Sequence, residues 1–298
     1  MEKTQGRSSH KLKKPTTFDV IVFVLLAFYT LSLLLLLAWA LMSSFKSADA
    51  YNRNPAGWFT DFGFDNYISV FTDLYVKVTK NGNQSNVYIE KMFLYSFLYA
   101  GGCAIIQTLV TATVAYLTSK YRCLFSKIIH YTVIFTLILP IVGNMSSMIQ
   151  VMKTLGIYDT MIGMYILKFG YWNIYYLIFY AAFSKIPKDY TEYALVEGAG
   201  HFRIFTRIML PMVAPLLGTV ALLLFIQFWN DYQVPYIYLP SKPTAALGLY
   251  AILNVYTKNN GTPFKIASGI VVFIPIFILF LIFRNKIMSN IDEGGIKG

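Results

Sequence analysis

EYALVEGAGHFRIFTRIMLP, residues 192–211, is a polar, helix-compatible stretch set between two strongly apolar segments. Just before it, Lys188, Asp189 and Tyr190 follow Pro187. That order suits a helix start, because proline is tolerated in the first turn and acidic residues favour the positive end of the helix dipole. A first short helix is expected to run to Glu197. Gly198 then supplies a backbone that turns without a Cβ penalty, and Gly200 offers a second such position. In the helix that follows, Phe202, Phe205 and Met209 recur at helical spacing, as do Ile204 and Ile208, while Arg203 and Arg207 form an i, i+4 basic pair. Two short helices meeting at a bend can lie along a membrane surface and present one side to a partner. An amphipathic helix resting on lipid headgroups is the plainer alternative.

The rest of the chain supplies the membrane. Of its 298 residues, 56% are hydrophobic and only 13% charged, against roughly 25% charged in soluble domains, and the mean hydropathy is +0.54. The net charge of +11 does not form a stripe of the kind that binds nucleic acid; the basic residues stand beside apolar runs. Six such runs reach the ~20 residues a helix needs to cross a bilayer: Phe18 to Met42, Met92 to Ser119, Ile128 to Val151, Met161 to Ser184, Pro211 to Gln233 and Ile266 to Ile287. The expected fold is therefore all-α and polytopic: a tail at 1–17, a six-helix domain at 18–288 carrying the 185–210 loop, and a tail at 289–298. Lys11, Lys13, Lys14, Lys120, Arg122, Lys127, Lys185, Lys188, Arg203, Arg207, Arg284 and Lys286 fall on one face. The positive-inside rule makes that face, both termini and the Glu192 loop cytoplasmic. A cleaved signal peptide is the competing reading of the first run, but its apolar stretch exceeds the ~7–15 residues of a signal core.

Two connections are expected on the outer side. Ser43 to Lys91 is long and polar, with turn signals at Asn54-Pro55 and Asn81-Gly82 and a short surface helix around Asn66 to Phe71. Val234 to Lys265 holds four prolines and glycines enough for an ordered or partly ordered loop. Pro140 and Gly143 interrupt the third run and Pro275 the sixth, where kinks are expected.

Polar residues at membrane depth are costly and usually face a bundle interior or an aqueous path. Gln227, Trp229, Asn230 and Asp231 near the outer end of the fifth run are therefore candidates for lining a pore or touching its solute, since amides and carboxylates bond hydroxyls and an aromatic ring packs on apolar faces. The alternative, preferred over direct contact with a solute, places Asn230 and Asp231 in the interface as local caps with Trp229 and Tyr232 in the aromatic belt. Asn144, Ser146, Ser147 and Gln150 in the third run are weaker candidates, with helix packing as their alternative. No G-x-x-x-x-G-K-[S/T] loop occurs, so no nucleotide site is expected on this chain. Cys103 and Cys123 offer neither a disulfide framework nor metal-ligand spacing, and His10, His130 and His201 are dispersed.

Glu192, Ala194, Gly198, Ala199, Ile208, Leu210 and Pro211 resemble, at their spacing, the E-A-A…G…I-x-L-P signature of permease subunits in ABC importers, the binding-protein-dependent inner-membrane components. FWNDYQVP (Phe228 to Pro235) resembles the carbohydrate-uptake branch, of the maltose and multiple-sugar type. Ser44-Phe45-Lys46, Asp65-Asn66-Tyr67, the run Leu155 to Thr160 and Ile186-Pro187-Lys188 are similar to sugar-permease sequence as well. Tyr193 departs from the usual alanine and Glu197 from the common aspartate.

The resemblance implies a type I importer permease fold in the bacterial inner membrane. It also implies a second related permease, two ABC ATPase subunits that bind the ATP and magnesium, and an extracytoplasmic sugar-binding protein. Glu192, Tyr193, Ala194, Glu197, Gly198, Ala199, Gly200, Phe202 and Arg203 would then form the ATPase-coupling surface, and the chain itself would carry no cofactor and no catalytic residue. An importer for a non-sugar solute is the nearest alternative. A channel needs no ATPase and a membrane enzyme needs a clustered set of carboxylates or histidines; neither accounts for the Glu192 register.

Overall fold

The computed structural model describes residues 16–57, 61–80, 82–121, 123–139, 143–254 and 261–294, with backbone alone at 80 and 285–294. The basic residues expected in the amino-terminal tail, with Arg122, Pro140 and residues 295–298 of the carboxy-terminal tail, lie outside these. The chain is mostly helical. It opens with α1 (Thr17–Ser44), α2 (Ala48–Arg53) and α3 (Asp65–Asp73), a hairpin of β1 (Tyr75–Lys80) and β2 (Asn83–Tyr88), and α4 (Ile89–Lys120). It continues through α5 (Leu124–Ile138), α6 (Met145–Thr154), α7 (Met161–Leu167), α8 (Ile174–Lys185), α9 (Asp189–Val196) and α10 (His201–Ile204). A π-helical turn (Phe205–Met209) follows, then α11 (Leu210–Met212), α12 (Ala214–Trp229), α13 (Gln233–Tyr238), α14 (Ala245–Asn254) and α15 (Thr262–Gly294).

Among the described residues three helices, α1, α4 and α15, are long and apolar enough to cross a membrane singly, and the bent pair His201–Met212 and Ala214–Trp229 makes a fourth. The six expected spans are thus not six continuous helices. The third run is two helices, α5 and α6, separated by a break in which Gly143 takes φ +84°. The fourth is α7 and α8, parted by the turn from Lys168 to Asn173. The fifth is helical only as far as Trp229. Hydropathy registers apolar length but not helix continuity, and broken helices are tolerated at membrane depth where protein covers the free backbone groups. Pro275 does not end α15, which continues past it.

The chain is helical as expected apart from one hairpin among the described residues. β1 and β2 pair antiparallel from Tyr75↔Tyr88 to Lys80↔Asn83, closing around Gly82 at φ +81°. Val78 and Val87 on this hairpin are buried with Val70, Leu74, Ala245, Ile252 and Phe264, so the hairpin, α3 and α14 form a second small core over one end of α15. The larger core lies between α4, α8 and α12, where Tyr99, Tyr176, Phe179, Phe183 and Trp229 are fully enclosed. By contrast α1 is exposed along nearly its whole apolar length, the surface of a helix meant for lipid or a partner.

The segments with family-like sequence turn out to be joints. Lys46 is only 1% exposed, and its ammonium donates to the carbonyls of Asn54 (3.2 Å), Pro55 (3.4 Å) and Gly57, matching its three protons with three acceptors. Asn66 Nδ2 donates to Ser44 O (2.9 Å) and Lys46 O (2.7 Å), and the Tyr67 and Ser44 hydroxyls meet at 2.7 Å. In the run Leu155 to Thr160, Gly156 at φ +68° ends α6 and the Thr160 hydroxyl caps α7 by accepting from Gly163 N at 3.0 Å. Asp159 Oδ1 accepts from Ser241 N at 3.1 Å, fastening this turn to the segment after α13.

Candidate functional site

The 185–210 loop is built as two short helices across a capped bend. α9 ends in a Schellman motif: Gly198 N donates to Leu195 O and Ala199 N to Ala194 O, both at 2.9 Å. This geometry needs a left-handed residue after the helix, and Gly198 sits at φ +81°. The apolar contact that accompanies such motifs falls to Ala194, which is buried, and Ala199, which packs on the core. The spacing of Ala194, Gly198 and Ala199 therefore has a backbone cause. Gly200 then serves as the extended N-cap of α10.

The second helix departs from the expected 3.6-residue period. Ile204 and Met209 are its buried residues, five apart, and Leu210 N donates to Phe205 O in the i to i+5 register. A helical Pro211 cannot donate to Arg207 O, so the ladder resets one residue wide. At Val213 the axis turns by 76° into α12. The loop is seated on the carboxy-terminal end of α4: Phe205 packs on Tyr116 with centroids 4.8 Å apart, Tyr121 OH meets His201 Nδ1 at 2.9 Å, and Lys120 Nζ donates to Ile186 O at 2.6 Å.

What the bend leaves outside is apolar. Val196 is 87% exposed, Phe202 80% and Tyr193 72%. Tyr193 and Val196 share one face of α9 at i, i+3. Glu192, Glu197 and Arg203 around them are exposed as well. An exposed apolar cluster with a charged rim has the anatomy of a docking surface. The nine residues expected to couple to an ATPase thus gather on one short element: Ala194 and Ala199 hold the bend, Gly198 and Gly200 shape it, and Glu192, Tyr193, Glu197, Phe202 and Arg203 face outward.

The candidate pore residues divide. Trp229 is 1% exposed, its Nε1 donating to Val272 O at 3.2 Å and its ring set edge-on against Phe97 at 4.9 Å, so it ties α12 to α15 and α4. Asp231 Oδ2 accepts from the Tyr99 hydroxyl at 2.9 Å and Oδ1 from Val234 N at 3.0 Å, joining α4 to the start of α13. Asn230 is exposed and donates to Ile226 O at 2.9 Å, capping its own helix. Gln227, Asn144, Ser146, Ser147 and Gln150 are exposed, Ser147 and Gln150 on one open face of α6 with Val151 and Thr154.

Sequence reasoning passed over Lys168. Its ammonium lies 4.4 Å from the centre of the Phe228 ring and within electrostatic reach of Asp231 and Cys103. Tyr99, bonded to Asp231, stands ten residues into α4, ~15 Å along its axis. The signal was available: a single lysine inside an apolar run is a candidate functional group by position alone.

The family described as binding-protein-dependent transport system inner membrane component matches residues 108–292, more than half of the chain. Along nearly its whole length the chain is similar to the diacetylchitobiose uptake system permease protein NgcG of Streptomyces coelicolor, 26% identical over 93% of this chain and 88% of that protein. It is similar also to the maltodextrin transport system permease protein MalD of Streptococcus pneumoniae, 27% identical over 98% and 99% of the two chains. In fold it matches a chain of a bacterial ABC transporter that imports the acidic polysaccharide alginate, with a TM-score of 0.73 at 21% identity, covering 90% of this chain and 95% of the other. A membrane-embedded, largely helical chain with a capped loop folded back on its longest internal helix, matched over its carboxy-terminal two thirds, thus belongs to the inner-membrane components of binding-protein-dependent transport systems.

Proposed function

We propose that this chain is the permease subunit of an ATP-driven oligosaccharide importer, forming half of the translocation pathway beside a second, related permease. Six crossings are assigned to α1, α4, α5 with α6, α7 with α8, α12, and α15, with both termini and the 185–210 loop in the cytoplasm. The basic residues flanking the spans support that orientation. Two ABC ATPase subunits would bind and hydrolyse ATP with magnesium, and an extracytoplasmic sugar-binding protein would deliver the cargo to the face formed by the hairpin, α3 and α14.

The observation that carries the reading is the exposed cluster of Tyr193, Val196 and Phe202 on a bend fixed by Gly198. A permease that passes motion from an ATPase needs a contact surface that keeps its shape while the pore changes, and a capped bend clamped to α4 has that property. The sugar class rests on the relatives, whose substrates are diacetylchitobiose, maltodextrin and arabinooligosaccharides.

Reconstitution of the chain with its partner permease, ATPase and binding protein in proteoliposomes tests the reading. The expected result is uptake of labelled oligosaccharide only with ATP inside and binding protein outside. Uptake without ATP would make the chain part of a channel, and ATP-driven uptake confined to non-sugar solutes would remove the carbohydrate assignment.

A further inference from the structure

Where the ends of α4, α5 and α8 meet the start of α9, the chain encloses a hollow of about 630 Å³. Lys120, Lys127 and Lys188 line it with the hydroxyls of Ser126 and Ser184, and no carboxylate is among its lining residues. Lys188 stands close enough to Lys120 for the two ammonium groups to repel, so the walls present positive charge without its balance. The back wall is fixed: His130 Nδ1 meets the Tyr176 hydroxyl at 3.1 Å and its ring stacks on Tyr180 with centroids 4.3 Å apart.

A second hollow, shallow and lined by residues of α5 alone, runs along the outside of that helix. Leu124, Ile128, Ile134, Phe135 and Ile138 make it apolar, and it shares Lys127 and Tyr131 with the first. The fifteen residues of α5 span ~22 Å, more than the ~15 Å depth of one leaflet's hydrocarbon. A basic, hydroxyl-lined pocket thus adjoins an apolar face of α5 long enough for one acyl chain.

We propose that this pair of hollows binds an anionic phospholipid of the inner leaflet, its phosphate held by Lys127, Lys188 and the serine hydroxyls and one acyl chain lying along α5. Basic pockets between helices on the cytoplasmic side suit such headgroups. A free phosphate would fill only the first hollow, so the continuity of the two favours the lipid. Lys188 directly precedes α9, and Lys120 already grips Ile186 O; a headgroup bridging Lys188 to Lys127 on α5 therefore fastens the docking loop to the helix bundle. The inference rests on the membrane orientation proposed above and not on the transported solute.

The assembled transporter, purified and exchanged into nanodiscs of phosphatidylglycerol or phosphatidylcholine, is examined by native mass spectrometry for retained lipid. Preferential retention of phosphatidylglycerol is expected, weakened about thirtyfold in Lys127→Gln/Lys188→Gln, roughly fivefold per lysine, and restored in Lys127→Arg/Lys188→Arg. Lys153→Gln, a charge change on α6 outside both hollows, should leave retention as it is. Thr132→Trp, which puts a bulky ring on the apolar face of α5 and leaves every lysine in place, should weaken retention of the lipid. Equal retention of the two lipids, or retention unchanged in the double glutamine variant, overturns the site. Release of phosphatidylglycerol by millimolar inorganic phosphate, with Thr132→Trp behaving as wild type, overturns the lipid assignment. Because lipid retention is read without transport, its failure leaves the importer reading standing.

Discussion

Replacing Gly198 separates two explanations for the bend. An added Cβ would meet nothing within 4 Å, so a substituted side chain has room within this chain. The backbone, at φ +81°, is what resists: an L-residue held in the left-handed region costs ~1–2 kcal/mol, with asparagine the common exception and β-branched residues the worst fit. Gly198→Ala should therefore lower the population of the docking-competent loop about 5- to 30-fold. Gly198→Asn should fall between alanine and wild type, and Gly198→Val should be the most damaging. If instead the ATPase packs against this position and excludes bulk, the order follows size and asparagine becomes worse than alanine. The assay is ATPase binding to the purified permease pair, read with cargo-stimulated hydrolysis and vesicle uptake. Membrane insertion should be normal in all three variants, because the residue is exposed. Wild-type values throughout for Gly198→Val would refute the role of the capped bend, and asparagine ranking below alanine would refute the backbone account.

Lys46→Met should lower the thermal unfolding temperature in detergent and make the segment after α1 protease-sensitive, since it removes the hydrogen bonds of a buried ammonium to Asn54 O, Pro55 O and Gly57 O, and bonds to a charged group contribute ~1.5–3 kcal/mol each; an unchanged melting curve would show that these bonds add nothing net to stability. Asp231→Ala should destabilise by about 1–3 kcal/mol by orphaning the enclosed Tyr99 hydroxyl; adding Tyr99→Phe should recover part of that loss, and strict additivity of the two would dismiss the bond as a contributor. Hydrogen bonds with Ser126 hold the exposed Cys123 thiol below its ordinary pKa. An impermeant maleimide should accordingly label it from the cytoplasmic side alone, at a rate that climbs at lower pH than in Ser126→Ala, where the thiolate forms later; labelling from outside intact cells, or identical pH profiles, would count against the topology or the hydrogen bond respectively. Glu192→Lys should insert normally and lose ATPase affinity, with wild-type affinity the refuting result.

How much of this was legible in the residues varied with the kind of signal. Gly198 declared the bend because only a left-handed cap explains a glycine followed by alanine at the end of an amphipathic turn, and α9 ends within one residue of the expected limit. The helix around Asn66 to Phe71 was visible as α3. The strands beside it were not, although Tyr75 to Lys80 alternates and Asn81-Gly82 marks a two-residue hairpin turn; an all-helical expectation hid a period of two. The π turn was illegible in principle, since its five-residue spacing comes from the donor missing at Pro211 and not from the apolar pattern. The functional candidates suffered from the same one-dimensional view. Trp229 and Asp231 looked like pore groups because they are polar or amphipathic at depth, yet each has its polar atoms engaged by Val272, Tyr99 or Val234.

Those engagements make α4 the common support of both sites. Its carboxy-terminal end carries the 185–210 loop through Tyr116, Tyr121 and Lys120, and its first third carries the end of α12 through Tyr99 and Asp231. From Tyr99 to Tyr116 is seventeen residues of unbroken helix, ~25 Å. The loop is also covalently continuous with α12 across the 76° bend at Val213. A force applied at Tyr193, Val196 and Phe202 therefore reaches the end of α12 by two routes, one through the strut of α4 and one through α12 itself. Two fastenings on rigid helices leave little room for the loop to slide against the bundle. The motion such a frame permits is rotation of α4, α12 and the loop as one body, while α5 and α7, each broken from the helix that follows by a turn, lie beside the parts able to bend.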